Sequence, residues 1–396
     1  MAALLELGPA GLYCAAGDFY VDPWRPVERA LITHAHADHA RPGHRRYLCA
    51  EPGLELLRLR VQGSNAAAGV SPSAELSGLP YGRRLRIGGA TVSFHPSGHL
   101  LGAAQIRIEV GGEVWVAGGD YKLAWDPSAD PFEPLACHTF ISESTFGLPI
   151  YRWAPDGELF DGLLAWWREA KAAGRTAVLY AYALGKAQRI LARLAERLDD
   201  LPGPIGVHGA IARLLPPYEA AGIPLAPCLP ASADNAPALA GRGLLLAPPA
   251  VQGTPYLRKF GPLSEALASG WMTQRGQRRR RGLERGFALS DHADWPGLWA
   301  AVRATGAQRV LVTHGTVEPF VRALREAGFD AAPLAAPYGQ EEPDGAFEPG
   351  AEAAAAPDAE APRGPREDAI AGPGPERSPA ADAPGADRGS RREAQA

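Results

Sequence analysis

The sequence predicts an α/β protein in which one strand–helix unit interrupts another. Three observations carry that reading. From Leu5 to about Gly147 the chain consists of short apolar strands broken by Gly and Pro. From about Leu148 strands alternate with amphipathic helices. After Arg285 a strand ending in Val312-Thr313-His314 and one more helix read as a return to the first part.

Taken in order, Gly17-Asp18-Phe19-Tyr20-Val21-Asp22-Pro23 reads as a strand end. Leu85–Ile87, Thr91–Phe94, Ala104–Ile108 and Glu113–Val116 follow as strands. Gly88-Gly89 and Gly111-Gly112 mark turns, which makes antiparallel hairpins the expectation. Glu158 to Ala173 has helical apolar spacing through Leu159, Leu163, Leu164, Trp166 and Trp167. Ala177–Tyr180 is a buried-type strand, and Gly185-Lys186 opens a helix through Ile190, Leu191 and Leu194. Gly206-Val207-His208 and Gly243–Ala247 continue the alternation. Trp299 to Ala304 and Glu318 to Ala327 are the last helices, flanking the strand from Arg309. The expected parts are therefore 1–147, an insertion at 148–285, a return at 286–337 and a tail at 338–396. That tail is rich in Ala, Pro and Gly and too poor in apolar residues to order itself.

Composition sets bounds. The chain has 396 residues, 46% hydrophobic and 21% charged, which suits a globular protein with a sizeable core. No apolar run reaches membrane-spanning length, and the N-terminus lacks the basic start and apolar core of a secretory signal. Cys14, Cys49, Cys137 and Cys228 are scattered with no C-x-x-C pair, so disulfides and a cysteine zinc site are not expected and a reducing cytoplasm fits. The net charge of −4 is uneven: residues 339–396 hold 13 acidic and 6 basic groups, leaving the body mildly basic. A basic body permits a nucleic-acid partner without demanding one.

The most informative stretch is Thr33-His34-Ala35-His36-Ala37-Asp38-His39, directly after the apolar run Ala30-Leu31-Ile32. Residues two apart on extended backbone face the same way, so His34 and His36 can converge on one ion. Asp38 and His39, at a change of direction, can face a second. Imidazoles with a carboxylate suit a borderline cation such as zinc. His99, Asp120 and His314 sit at three further strand ends. Seven groups suffice for two ions with Asp120 between them.

His-x-His-x-Asp-His, a lone His, an Asp and a final His together resemble the metallo-β-lactamase fold, an αββα sandwich with metals at one edge. Ser142-Glu143-Ser144-Thr145-Phe146-Gly147, Tyr182–Gln188, Leu289-Ser290-Asp291-His292 and Val312-Thr313-His314-Gly315 extend the resemblance to the β-CASP nucleases, which carry an inserted α/β domain. Gly17–Pro26 and Ser290–Gly297 are most similar to bacterial exonucleases associated with an ATP-dependent DNA ligase. The resemblance implies one ion on His34, His36 and His99, another on Asp38, His39 and His314, and Asp120 bridging. It implies two divalent ions, zinc with manganese as a substitute, and Asp22 bracing the metal loop through hydrogen bonds. It also implies Glu143 and His292 as the pair that protonates the departing oxygen, with Asp38 and Asp120 at the reacting centre.

The implied function is a metal-dependent phosphodiesterase, a DNA exonuclease trimming ends in repair alongside a ligase and a helicase, with no membrane partner. An RNA-processing β-CASP ribonuclease is the alternative enzyme, because a His at the His314 position is common among RNA-acting members. A non-catalytic nucleic-acid-binding protein is the alternative of another class, and a small-substrate hydrolase of the same fold is a further one. Other residues receive plainer readings. His95 packs or braces; His44, His138 and His208 are ordinary; the Trp residues are core, with Trp271 the most open to a role. Gly185-Lys186 lacks the first glycine of a Walker loop, leaving at most a helix start touching a phosphate. The run Arg275, Arg278, Arg279, Arg280, Arg281 and Arg285 is read as a phosphate-tracking rim.

Overall fold

The paired glycines turn the chain where the sequence places them. Gly88 (φ 57°) joins two antiparallel strands, and Gly111 and Gly112 (φ 59° and 90°) join the next two. The computed structural model describes residues 3–62, 74–274 and 282–334.

The first sheet takes its strands in chain order: β1 (Glu6–Gly8), β2 (Gly11–Cys14), β3 (Phe19–Val21), β4 (Arg29–Leu31), β5 (Arg46–Ala50) and β6 (Glu75–Leu79). Within this sheet the expectation of hairpins holds for β1–β3. From β3 to β6 the pairing is parallel, with Leu54–Val61 as a crossover helix after β5. That helix is a departure from the strand-only reading. Leu57-Arg58-Leu59-Arg60-Val61 alternates like a strand, but burial of Leu57 and Val61 against the sheet decides for helix.

The second sheet begins with β7 (Leu85–Ile87), β8 (Ala90–Pro96), β9 (Ala104–Val110) and β10 (Glu113–Ala117), all antiparallel. β11 (Thr139–Ser142) then joins β10 in parallel.

A third, wholly parallel sheet follows: β12 (Thr176–Tyr180), β13 (Ile205–Val207), β14 (Cys228–Pro230), β15 (Leu244–Ala247), β16 (Leu263–Ala268) and β17 (Arg285–Phe287), in the order β14-β13-β15-β12-β16-β17. β17 straddles the boundary expected at 285/286, because Leu267 still pairs with Gly286. The chain finally returns to the second sheet with β18 (Arg309–Val312) and β19 (Asp330–Pro333), both parallel to β11.

Alternation along the strands explains the layers. Leu31, Phe19 and Val21 face Phe94, Ile106, Trp115 and Ile141 in one core between the first two sheets. On the outer face of the first sheet, Ala30, Tyr47 and Cys49 meet Leu57 and Val61 of the crossover helix. Outside the second sheet, Val116, Phe140, Val310 and Val312 meet the helices Trp295–Thr305 and Val317–Glu326. The result is helix, sheet, sheet, helix. The third sheet buries Leu179, Leu244 and Leu246 against the helices Asp156–Ala172 and Lys186–Ala195. Its other face buries Val178, Tyr180 and Leu245. All four cysteines are free. No helix among the described residues is long and apolar enough to cross a membrane.

Candidate metal centre

Asp22, Asp120, Glu143 and His314 each lie within three residues of the carboxyl end of a strand, β3, β10, β11 and β18 in turn. The His34–His39 turn follows β4, and His99 follows β8, which runs in the same direction as β10. Parallel strands deliver their C-terminal loops to one edge, so residues far apart in sequence meet there.

The seven expected groups gather as two sets. One ligand atom each from His34, His36, His99 and Asp120 lies within 4.8 Å of all the others, and Asp38, His39 and His314 form a second such set. Asp120 Oδ2 is 3.4 Å from His34 Nε2, 3.8 Å from His99 Nε2 and 3.5 Å from His39 Nε2, so it touches both sets. The local backbone differs from the extended run expected for His34 and His36. β4 stops at Leu31, and a turn closed by the Ala40 N–H on the His36 carbonyl (2.8 Å) brings the rings together.

The tautomers are set from outside. Burial keeps the His36 and His99 imidazoles below their ordinary pKa, hence neutral. His36 Nε2 meets the Leu184 carbonyl at 3.2 Å, and His99 Nδ1 meets the Asp291 carbonyl at 2.9 Å. A carbonyl only accepts, so each ring spends its one N–H there. His36 Nδ1 and His99 Nε2 are left as lone pairs facing one another 3.2 Å apart. Two lone pairs at that distance repel unless a cation lies between them. His34 Nε2 and Asp120 Oδ1, both buried, make no hydrogen bond. Nitrogen and oxygen donors so placed fit a divalent cation of zinc's kind.

The second set is held by Asp22 as expected. Its Oδ2 accepts from His39 Nδ1 at 2.8 Å and from Thr33 Oγ1 at 2.6 Å, while Oδ1 accepts the Thr33 N–H at 2.8 Å. Burial opposes a charged His39, but the Asp120, Asp38 and Asp22 carboxylates outweigh it and hold the imidazole up at about 10. Burial pushes the Asp120 carboxyl up to about 8, with Glu143 and Asp38 adding to the push. Asp22 (φ 42°) and His314 (φ 57°) are two of the three non-glycine residues at positive φ among those described, and strain of this kind collects at functional sites.

Glu143 and His292 also meet. His292 Nδ1 lies 2.9 Å from Glu143 Oε2, and Glu143 Oε1 accepts the Tyr121 N–H at 2.8 Å. Glu143, His292 and Asp120 offer ligand atoms within 4.8 Å of each other, so the pair adjoins the carboxylate shared by both sets. Phe146 lies 6.1 Å from the His292 ring and 4.9 Å from Trp271 behind it.

Other candidates fall elsewhere. His95 binds Glu133 and Ser93, His44 packs on Tyr47, His138 accepts from Val114 and His208 caps a short helix. Lys186 is buried, 3.1 Å from the Asp291 carboxylate. Of the arginine run, Arg285 pairs with Glu169 on an exposed surface, and 275–281 lie outside the described residues, as does the tail. Sequence reasoning missed Lys186, Asp291 and the Leu184 carbonyl as supports. Asp291 sits beside His292 in the quoted motif, while a backbone carbonyl leaves no residue signal.

No family model matches the sequence. A protein named Probable DNA ligase from Opitutus terrae is 30% identical over 324 residues, covering 81% of this chain and 30% of that protein. Ribonuclease TTHA0252 of Thermus thermophilus is 29% identical over 203 residues, 46% of each chain. Endoribonuclease YSH1 of Yarrowia lipolytica is 31% identical over 126 residues, 31% of this chain and 15% of that protein. The chain thus spans less than half the length of these curated relatives. A crystal structure of a protein of unknown function from Enterococcus faecalis V583 shares the fold, with TM-score 0.51 and 13% identity over 78% of this chain and 80% of that one. Ligase-named and ribonuclease-named relatives, together with histidine and aspartate clusters of metal-binding type, support the β-CASP nucleases of the metallo-β-lactamase fold as the family of this chain.

Proposed function

We propose that the chain is a metal-dependent phosphodiesterase that trims DNA ends, a DNA exonuclease working beside a ligase. The observation that carries this reading is Asp120: one carboxylate touches both ligand sets and adjoins the Glu143–His292 pair. His34, His36 and His99 would hold one divalent ion, Asp38, His39 and His314 the other, with Asp120 between. When bound, such ions supply positive charge to a phosphodiester oxygen and acidify a water molecule. The remaining work falls to side chains. Glu143 orients His292 through Nδ1, leaving Nε2 to give a proton to the departing sugar oxygen. Asp22 and Thr33 keep His39 from turning.

The DNA assignment rests on the ligase-named relative, matched across most of this chain. Association with ligation fits an enzyme that prepares ends for sealing. RNA cleavage is the second reading, favoured by the ribonuclease-named relatives. A labelled single-stranded DNA, a duplex with recessed ends and an RNA of the same sequence, each with and without chelator, decide between them. Chelator-sensitive release of mononucleotides from DNA is expected. Cleavage of RNA alone would move the assignment, and no cleavage of any of the three would overturn it.

A further inference from the structure

The helix Lys186–Ala195 belongs by packing to the third sheet, yet its first turn reaches the candidate metal centre repeatedly. The Leu184 carbonyl meets His36 Nε2 at 3.2 Å. Gly185 follows with φ +88°, and a Cβ there would stand 3.2 Å from Asp291 Oδ2, so the turn presses directly on Asp291. Gln188 locks the turn: its Oε1 accepts the Gly185 N–H at 2.8 Å, and its Nε2 donates to the Ala183 carbonyl at 2.9 Å. Lys186 Nζ lies 3.1 Å from Asp291 Oδ1, both side chains almost fully buried. The carbonyl of that same Asp291 meets His99 Nδ1 at 2.9 Å. Arg189 donates to the Ser290 carbonyl, and Ser290 Oγ accepts the His292 N–H at 3.1 Å. Arg189 is itself fixed by Asp126 at 3.0 Å and Asp156 at 2.7 Å.

A buried ion pair is weak evidence for stability, since an apolar pair of similar volume often serves as well. What Lys186–Asp291 supplies is a fixed position for a backbone carbonyl. The other ligand set takes its bracing elsewhere: Asp22 holds His39, and Ser144 Oγ donates to the His314 carbonyl. The support is therefore asymmetric between the two sets.

We propose that Leu184–Arg189 is the positioning element for one ion only, the one assigned to His34, His36 and His99. The Leu184 carbonyl aims His36, and the Lys186–Asp291 pair fixes the carbonyl that aims His99. This rests on the dinuclear reading above. Outer partners of metal-bound histidines are typically worth about 10–100-fold in metal affinity.

The test uses the full chain and the double variant Lys186→Met/Asp291→Asn, which leaves no uncompensated buried charge, with Lys186→Arg as the charge-conserving control. Zinc titration against a chromophoric chelator gives two affinities per protein. Histidine ¹H–¹⁵N spectra of metal-stripped protein give the tautomers. In the double variant one affinity should fall about 10–100-fold while the other holds. The His99 Nδ1–H tautomer, present in the parent chain, should be lost or mixed, and Lys186→Arg should keep both properties. Two unchanged affinities, or two that fall together, would overturn the proposal. If the parent chain holds fewer than two ions, the dinuclear reading fails by itself. The tautomer comparison then still decides: His99 fixed as Nδ1–H in the double variant overturns the positioning role, and its loss sustains it.

Discussion

His292 Nδ1 lies 2.9 Å from Glu143 Oε2, and Asp120 offers its carboxylate to the same small cluster. A carboxylate on Nδ1 turns Nε2 toward the centre, where a leaving oxygen would need a proton. His292→Ala should keep its metals and its substrate affinity while kcat falls by about 10²–10⁴, the usual worth of a general acid. The loss should shrink on a nitrophenyl phosphodiester, whose leaving group needs no proton. Equal loss on both substrates, or loss of a metal, would make His292 a ligand or a support.

Asp22 supports a prediction of a different kind. Its carboxylate accepts three hydrogen bonds, from His39 Nδ1, Thr33 N and Thr33 Oγ1. An amide can replace some acceptors but turns an NH₂ toward the others. Asp22→Asn should weaken binding of the ion assigned to His39 by about 10–100-fold, read by chelator competition. Asp120→Asn should cost more, because it touches both sets. Equal effects would remove the distinction between bracing and bridging.

His44 gives a pH-dependent prediction away from the centre. Burial pushes its imidazole down to about 4, and its Nδ1 accepts the Val27 N–H at 3.3 Å, which requires the neutral ring. The unfolded chain protonates first, near pH 6.5. Stability from this group is therefore complete above pH 6.5 and lost as pH falls toward 4, by about 3 kcal/mol at most. His44→Asn keeps an acceptor and removes the titration. Denaturant unfolding of both proteins from pH 7 to 4 should show their difference changing through that window. A constant difference would exclude His44 as the cause.

Much of this centre was legible because its signal is local. Three histidines and an aspartate within six residues need no tertiary knowledge, and the glycine pairs announce the hairpin turns. What escaped depends on partners distant in sequence. β3 to β6 pair in parallel because crossovers, not turns, connect them, and no turn residue records that. Leu57–Val61 alternates like a strand and is helical because of the sheet beneath it. Gly185-Lys186 shows only a helix start in the sequence, because Asp291, the partner of Lys186, stands 105 positions on. The third sheet extends two residues beyond the expected break because β17 finds β16.

A centre shared through Asp120 requires two ions, and counting them tests it most directly. Protein purified without chelator and freed of loosely held metal should return about two divalent ions per chain by elemental analysis. Asp120→Asn should return fewer while remaining folded by circular dichroism. One ion or none in the folded parent chain would contradict the shared-carboxylate centre.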